Sequence, residues 1–110
     1  MTAESVHVPL CKTTEVDPGT VKRVDVEGFP PLAVFNLEGA FYVLDDTCSH
    51  GQASLAEGYV EGDQIECPWH SGRFCIRNGE PATFPVVVPV KSYAVTVVGD
   101  DVCVPSTDAS

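Results

Sequence analysis

The sequence predicts an all-β chain, and three observations carry that expectation. Valine is the commonest residue, with eighteen copies against five Leu and two Ile, and β-branched side chains suit a pleated strand better than a helix. Nine Gly and nine Pro are spread from end to end and cut the chain into short segments. No stretch of eleven or more residues holds a convincing helical period.

Strands are expected, in order, at 6–10, 20–26, 32–37, 40–44, 64–66, 74–76, 93–98 and 102–105. Turn chemistry sets several of their ends. Leu37-Glu38-Gly39-Ala40 reads as the hairpin turn between the third and fourth strands. Asn78-Gly79 is a turn signal just beyond the sixth, and Val98-Gly99-Asp100-Asp101 joins the last two. Residues 59–66 read as further hairpin material, and 106–110 as a frayed tail. Strands every ten residues or so, with turns between, point to an antiparallel β-sandwich or small barrel. Between Asp45 and Pro85 the β-branched density falls while Cys, His, Gly and Pro gather. This stretch, about 45–85, reads as an inserted subdomain carrying the chemistry, within one domain spanning 1–110.

A chain of 110 residues holds one core. Its net charge of −10 argues against nucleic acid and anionic membrane surfaces, which bind through clustered Lys and Arg. No apolar run is long enough to span a bilayer. Met1-Thr2-Ala3-Glu4-Ser5 has neither a basic nor an apolar signal region, so a cytoplasmic location is expected. Five cysteines leave one over from any disulfide pairing, so in that compartment they read as metal ligands or buried thiols.

Spacing separates the two kinds. Cys48-Ser49-His50 and Cys67-Pro68-Trp69-His70 form C-x-H, sixteen residues, then C-x-x-H. Each loop supplies one sulfur and one nitrogen, and two readings fit. A zinc ion takes all four ligands in a tetrahedron, or a [2Fe–2S] cluster takes both Cys on one iron and both His on the other. Gly51 and Gly72 follow the histidines closely, where freedom at φ lets the backbone fold around a bound group. Cys11, Cys75 and Cys103 read as buried or half-buried thiols in strands. The acids Asp45, Asp46, Glu57, Glu61, Asp63, Glu66 and Glu80 read as solvated surface, with partner docking the second reading.

Cys48-Ser49-His50-Gly51 and Cys67-Pro68-Trp69-His70-Ser71-Gly72 resemble the two cluster-binding boxes of the Rieske family. With Gly58-Tyr59, Glu66-Cys67-Pro68 and Gly72-Arg73-Phe74, the stretch 45–84 is similar to the small Rieske ferredoxins of bacterial aromatic-ring dioxygenase systems. The resemblance implies a Rieske fold with one [2Fe–2S] cluster, Cys48 and Cys67 on the buried iron, and His50 and His70 on the outer iron through Nδ1. It makes residues 81–85 a proline-bearing loop over the cluster. Partners are expected to dock over the tips of His50 and His70, the shortest way out, with Trp69, Phe84 and Pro85 an apolar collar, although Trp69 reads equally as a shield for the cluster. Respiratory relatives cross-link the loops with two further cysteines, and the matching positions here are Ala53 and Trp69. High-potential relatives place hydroxyls where this chain has Gly72 and Phe74, so a low-potential centre is implied.

A terminal oxygenase needs in addition a mononuclear iron held by two His and a carboxylate. Three histidines are present, and only His7 is left after the cluster. The expectation is therefore a soluble, monomeric one-electron carrier, not catalytic alone. The resemblance implies an NADH-dependent flavoprotein ferredoxin reductase as donor and a terminal aromatic-ring oxygenase as acceptor. The alternatives are the small Rieske subunit of a nitrite reductase or monooxygenase system, and a zinc-stabilised interaction module.

Overall fold

In the computed structural model, residues 7–48, 53–68, 72–83 and 88–106 are described. Their strands are β1 (His7–Lys12), β2 (Val21–Val24), β3 (Leu32–Leu37), β4 (Ala40–Asp45), β5 (Tyr59–Glu61), β6 (Gln64–Glu66), β7 (Arg73–Cys75), β8 (Pro81–Thr83), β9 (Ser92–Tyr93), β10 (Thr96–Val98) and β11 (Asp101–Pro105). They form three antiparallel sheets, ordered β1-β11-β10, β2-β3-β4-β9 and β5-β6-β7-β8. None of the three closes into a barrel among the described residues, so of the two expected all-β forms the layered one is found.

The middle layer is set by β3 and β4. The two strands pair in full register from Leu32↔Asp45 to Leu37↔Ala40. Their two-residue loop, Glu38 (φ 55) and Gly39 (φ 94), is left-handed at both positions, the geometry whose twist matches the strands it joins. Successive side chains on a strand point to opposite faces, and both faces of β3 are apolar. Leu32 and Val34, with Val43 of β4, pack into one buried cluster with Cys11, Val102 and Val104 of the β1-β11-β10 sheet. Ala33 and Phe35, with Leu44, pack into another with Ile65, Phe74 and Ile76 from the β5–β8 region. A strand covered on both sides reads as a continuous apolar run, which is what Leu-Ala-Val-Phe supplies.

Asn36 interrupts that run and is also buried. Its Nδ2 donates to the Val16 carbonyl at 2.7 Å and its Oδ1 accepts from the Gly39 N–H at 2.7 Å. The side chain thus ties the hairpin turn to the segment entering β2.

Two expectations need correction. The segment 93–98 is not one strand: Tyr93 and Ser92 pair with β4, while Thr96–Val98 pairs with β11. One stretch of chain serves two sheets and must break where it passes from one layer to the other. Residues 81–85 are not loop throughout, because Pro81–Thr83 is an edge strand on β7. Proline is tolerated there, at the first residue of an edge strand; Phe84 and Pro85 lie outside the described residues.

Asn36→Ala should lower stability by about 2 kcal/mol, since it leaves a buried acceptor and a turn N–H without partners. Urea unfolding of the variant checks this, and an unchanged midpoint would show that these bonds contribute nothing net.

Candidate metal centre

Cys48 and Cys67 are 2% and 1% exposed and belong to one buried apolar cluster with Ala53, Leu55, Ile65 and Phe74. Each opens a loop that the main chain closes in the same way. The Cys48 N–H donates to the Ala53 carbonyl at 2.9 Å, and the Cys67 N–H donates to the Gly72 carbonyl at 2.8 Å. Just outside each closure stands an antiparallel pair, Thr47↔Ser54 and Glu66↔Arg73. The two cysteines therefore occupy equivalent positions, each at the foot of a four-residue span closed by the same kind of bond. His50 and His70 fall within those spans, outside the described residues, as does Trp69.

The second loop is carried by regular sheet. Its flanks are β6 and β7, paired from Gln64↔Cys75 to Glu66↔Arg73. The end row is reinforced by Arg73 Nη2 donating to Glu66 Oε1 at 3.1 Å. A third strand supports it through Gly58, just ahead of β5. A Cβ on Gly58 would overlap the Glu66 carbonyl oxygen, so the approach beside Cys67 requires a residue without one.

The first loop has no such ladder. One pair, Thr47↔Ser54, precedes a short 3₁₀ turn at Leu55–Glu57. Asp46 gathers the bonds instead: its carboxylate accepts from Ser54 Oγ at 2.5 Å and from the Ala56 N–H at 2.8 Å. Its carbonyl accepts from the Leu55 N–H at 2.7 Å. Asp46 was expected among the solvated acids; it is buried, because these donors replace water. Glu66 departs from the same expectation less far, half-buried against Arg73.

The other cysteines are not among the buried residues of this cluster. Cys11 belongs to the opposite core and Cys103 is buried on β11, while Cys75 is half-buried on β7. Burial pushes the Cys11 thiol up, helped by Glu15 and partly opposed by Lys22. Burial followed by Asp101 does the same for Cys103, against a backbone hydrogen bond at Val98. Both therefore stay protonated at neutral pH and are poor ligands. Sequence reasoning missed the roles of Asp46 and Ser54, and it marked Gly58 only through the resemblance carried by Gly58-Tyr59, without the close approach to Glu66.

Comparison with known proteins agrees with this arrangement. The sequence profile of the Rieske [2Fe-2S] domain matches residues 6–94. Ferredoxin CarAc of Metapseudomonas resinovorans is 44% identical over 92 residues, 84% of this chain and 86% of that one. Among solved structures, the ferredoxin of Sphingomonas yanoikuyae B1 superposes with a TM-score of 0.88 at 40% identity, over 91% of this chain and 98% of that one. A chain in the complex of reduced oxygenase and oxidized ferredoxin in carbazole 1,9a-dioxygenase gives 0.86 at 41% identity, over 94% and 95%.

Gly58→Ala should displace the β6 end that carries Cys67 and so lower the iron bound per chain, with a stability loss of about 2 kcal/mol or more. Iron analysis of the purified variant checks this, and full loading would show that β6 yields without moving the loop.

Proposed function

The chain belongs to the Rieske [2Fe–2S] family, and on that premise we propose that it carries single electrons to a terminal oxygenase, with Cys48, His50, Cys67 and His70 as the cluster ligands. The observation that carries the proposal is the pair of buried cysteines at equivalent positions in two loops. The donor set fits: two sulfurs lie in one apolar cluster, and each loop carries one imidazole farther along. When bound, a cluster of this kind takes up and releases one electron, at a potential set by its ligands, its hydrogen bonds and its exposure.

The chain's own residues keep the sulfur side dry and the loops fixed. Leu55, Ile65 and Phe74 exclude water from Cys48 and Cys67, and a rigid site adds little reorganisation to an electron's passage. The way in and out is then the histidine side, with Trp69, Phe84 and Pro85 as the collar against which partners dock. The chain is the electron-transfer component and not an enzyme by itself. A flavoprotein reductase using NADH is the proposed donor and an aromatic-ring dioxygenase the proposed acceptor. We place the carrier in the cytoplasm as a monomer, with 1–110 as a single domain whose cluster-binding part is about 45–85. No helix among the described residues is long and apolar enough to cross a membrane.

Iron and sulfide analysis should give two of each per chain, lost in Cys48→Ser and Cys67→Ser and retained in Cys11→Ser, Cys75→Ser and Cys103→Ser. One zinc and no sulfide would overturn the reading.

The midpoint should fall toward the lower end of the roughly −150 to +300 mV Rieske range. Gly72 closes the second loop through its carbonyl, and Phe74 is fully buried in the cluster that holds both cysteines. Neither side chain has a hydroxyl to donate to cluster sulfur and stabilise an added electron. Redox titration of Gly72→Ser with Phe74→Tyr should read a higher midpoint, and an unchanged value would show that these positions do not set it.

A further inference from the structure

We infer that Asp46 is the positioning residue of the first cluster loop, and that its buried charge holds down the midpoint of the bound centre. The inference rests on the ligand set proposed above and adds a residue outside that set.

Its starting point is the unequal support of two equivalent loops. The Cys67 loop stands on the β6–β7 ladder, three paired rows deep. The Cys48 loop stands on one pair, Thr47↔Ser54, beyond which no ladder continues among the described residues. Three consecutive residues on its return side, Ser54, Leu55 and Ala56, all donate to Asp46. The Asp46 N–H in turn donates to the Pro31 carbonyl at 2.9 Å, just ahead of β3. One residue thus fastens the returning limb of the loop to the middle sheet.

Chemistry selects aspartate for this place. Both oxygens accept, Oδ2 from a hydroxyl and Oδ1 from an amide. An asparagine could keep its oxygen on the Ala56 N–H only by turning its NH₂ to the Ser54 hydroxyl, which would then accept instead of donate, and both bonds would lose their charge assistance. The side chain is 2% exposed, and burying a carboxylate is costly unless it is paired. The nearest cation is Arg23, whose Nη1 is 3.9 Å from Oδ2 and which also pairs with Asp25 at 3.3 Å. Among the described residues Asp46 is the one acid that is buried.

The charge is therefore only partly compensated, and it is carried two residues before Cys48, on Cα atoms at most about 7 Å apart. Between groups shielded from water, a nearby negative charge opposes the arrival of an electron far more than it would in solvent. Ser54 moderates this by donating to the carboxylate.

The test is a redox titration of loaded wild type, Asp46→Asn and Ser54→Ala, with iron and sulfide measured on each. Asp46→Asn should raise the midpoint and release iron faster to a chelator. Ser54→Ala keeps the carboxylate but removes a donor, and should shift the midpoint the other way. A purely mechanical role predicts looser iron without opposite shifts. An unchanged midpoint in fully loaded Asp46→Asn, or shifts of the same sign in both variants, overturns the inference. If Asp46→Asn fails to load, Ser54→Ala decides alone: a lower midpoint supports the inference and an unchanged or higher one overturns it. Wild type without iron and sulfide would instead overturn the ligand set.

Discussion

The structure depends on a single strand pair being apolar on both faces. β3 and β4 fill two cores at once, one shared with the β1-β11-β10 sheet and one with the β5–β8 region. In most antiparallel sheets one face meets water and the sequence alternates. Here the middle layer gives up that alternation, and its two faces take different tasks. One secures the outer sheet, and the other forms the wall against which both cysteine loops are seated. Residue parity along β3 and β4 decides which core each side chain enters, so a one-residue slip of either strand would exchange the two sets. The Glu38-Gly39 turn and the Asn36 side chain set that register.

Against the wall formed by Ala33, Phe35 and Leu44, Cys48 and Cys67 are seated at loop closures of the same kind that are supported by different means. Repetition of backbone bonds holds the Cys67 loop, and one buried carboxylate holds the Cys48 loop. A ladder shares its load over several bonds, whereas a carboxylate concentrates it and brings a charge with it. The difference gives the site a part that is mainly structural and a part that couples structure to potential. An electron carrier has use for both, because its midpoint must lie between those of its donor and acceptor while its geometry stays fixed.

The distribution of ionisable groups fits a protein that performs no bond chemistry itself. Among the described residues the ion pairs lie mostly on the surface, Lys12–Asp101 at 2.8 Å and Arg77–Asp63 at 3.6 Å for example, and exposed pairs contribute little to stability. The Cys11 and Cys103 thiols are pushed up by burial and act as small apolar side chains. What remains is a strongly acidic exterior around a dry interior, and the sign of that exterior bears on which partners approach.

The sequence by itself determined the all-β class, the strands at 32–37 and 64–66, and the turns at Glu38-Gly39, Asn78-Gly79 and Gly99-Asp100. These follow from side-chain period and from residues that tolerate positive φ, and both act over a few neighbours. The C-x-H and C-x-x-H spacings were equally local; by themselves they left zinc and a [2Fe–2S] cluster open, and the residues around them carried the resemblance to the family. Tertiary structure alone decided the rest. The division of 93–98 between two sheets depends on partners in β4 and β11, far away in the chain. The need for glycine at 58 depends on where the Glu66 carbonyl comes to rest. Asp46 shows the reason most directly. In sequence it is one acid beside another, Asp45, and nothing in its neighbours marks it for burial. Its environment is built by Ser54 and Ala56 across the loop and by Arg23 on another strand. Whether a carboxylate meets water or protein donors is settled only when those residues are brought together.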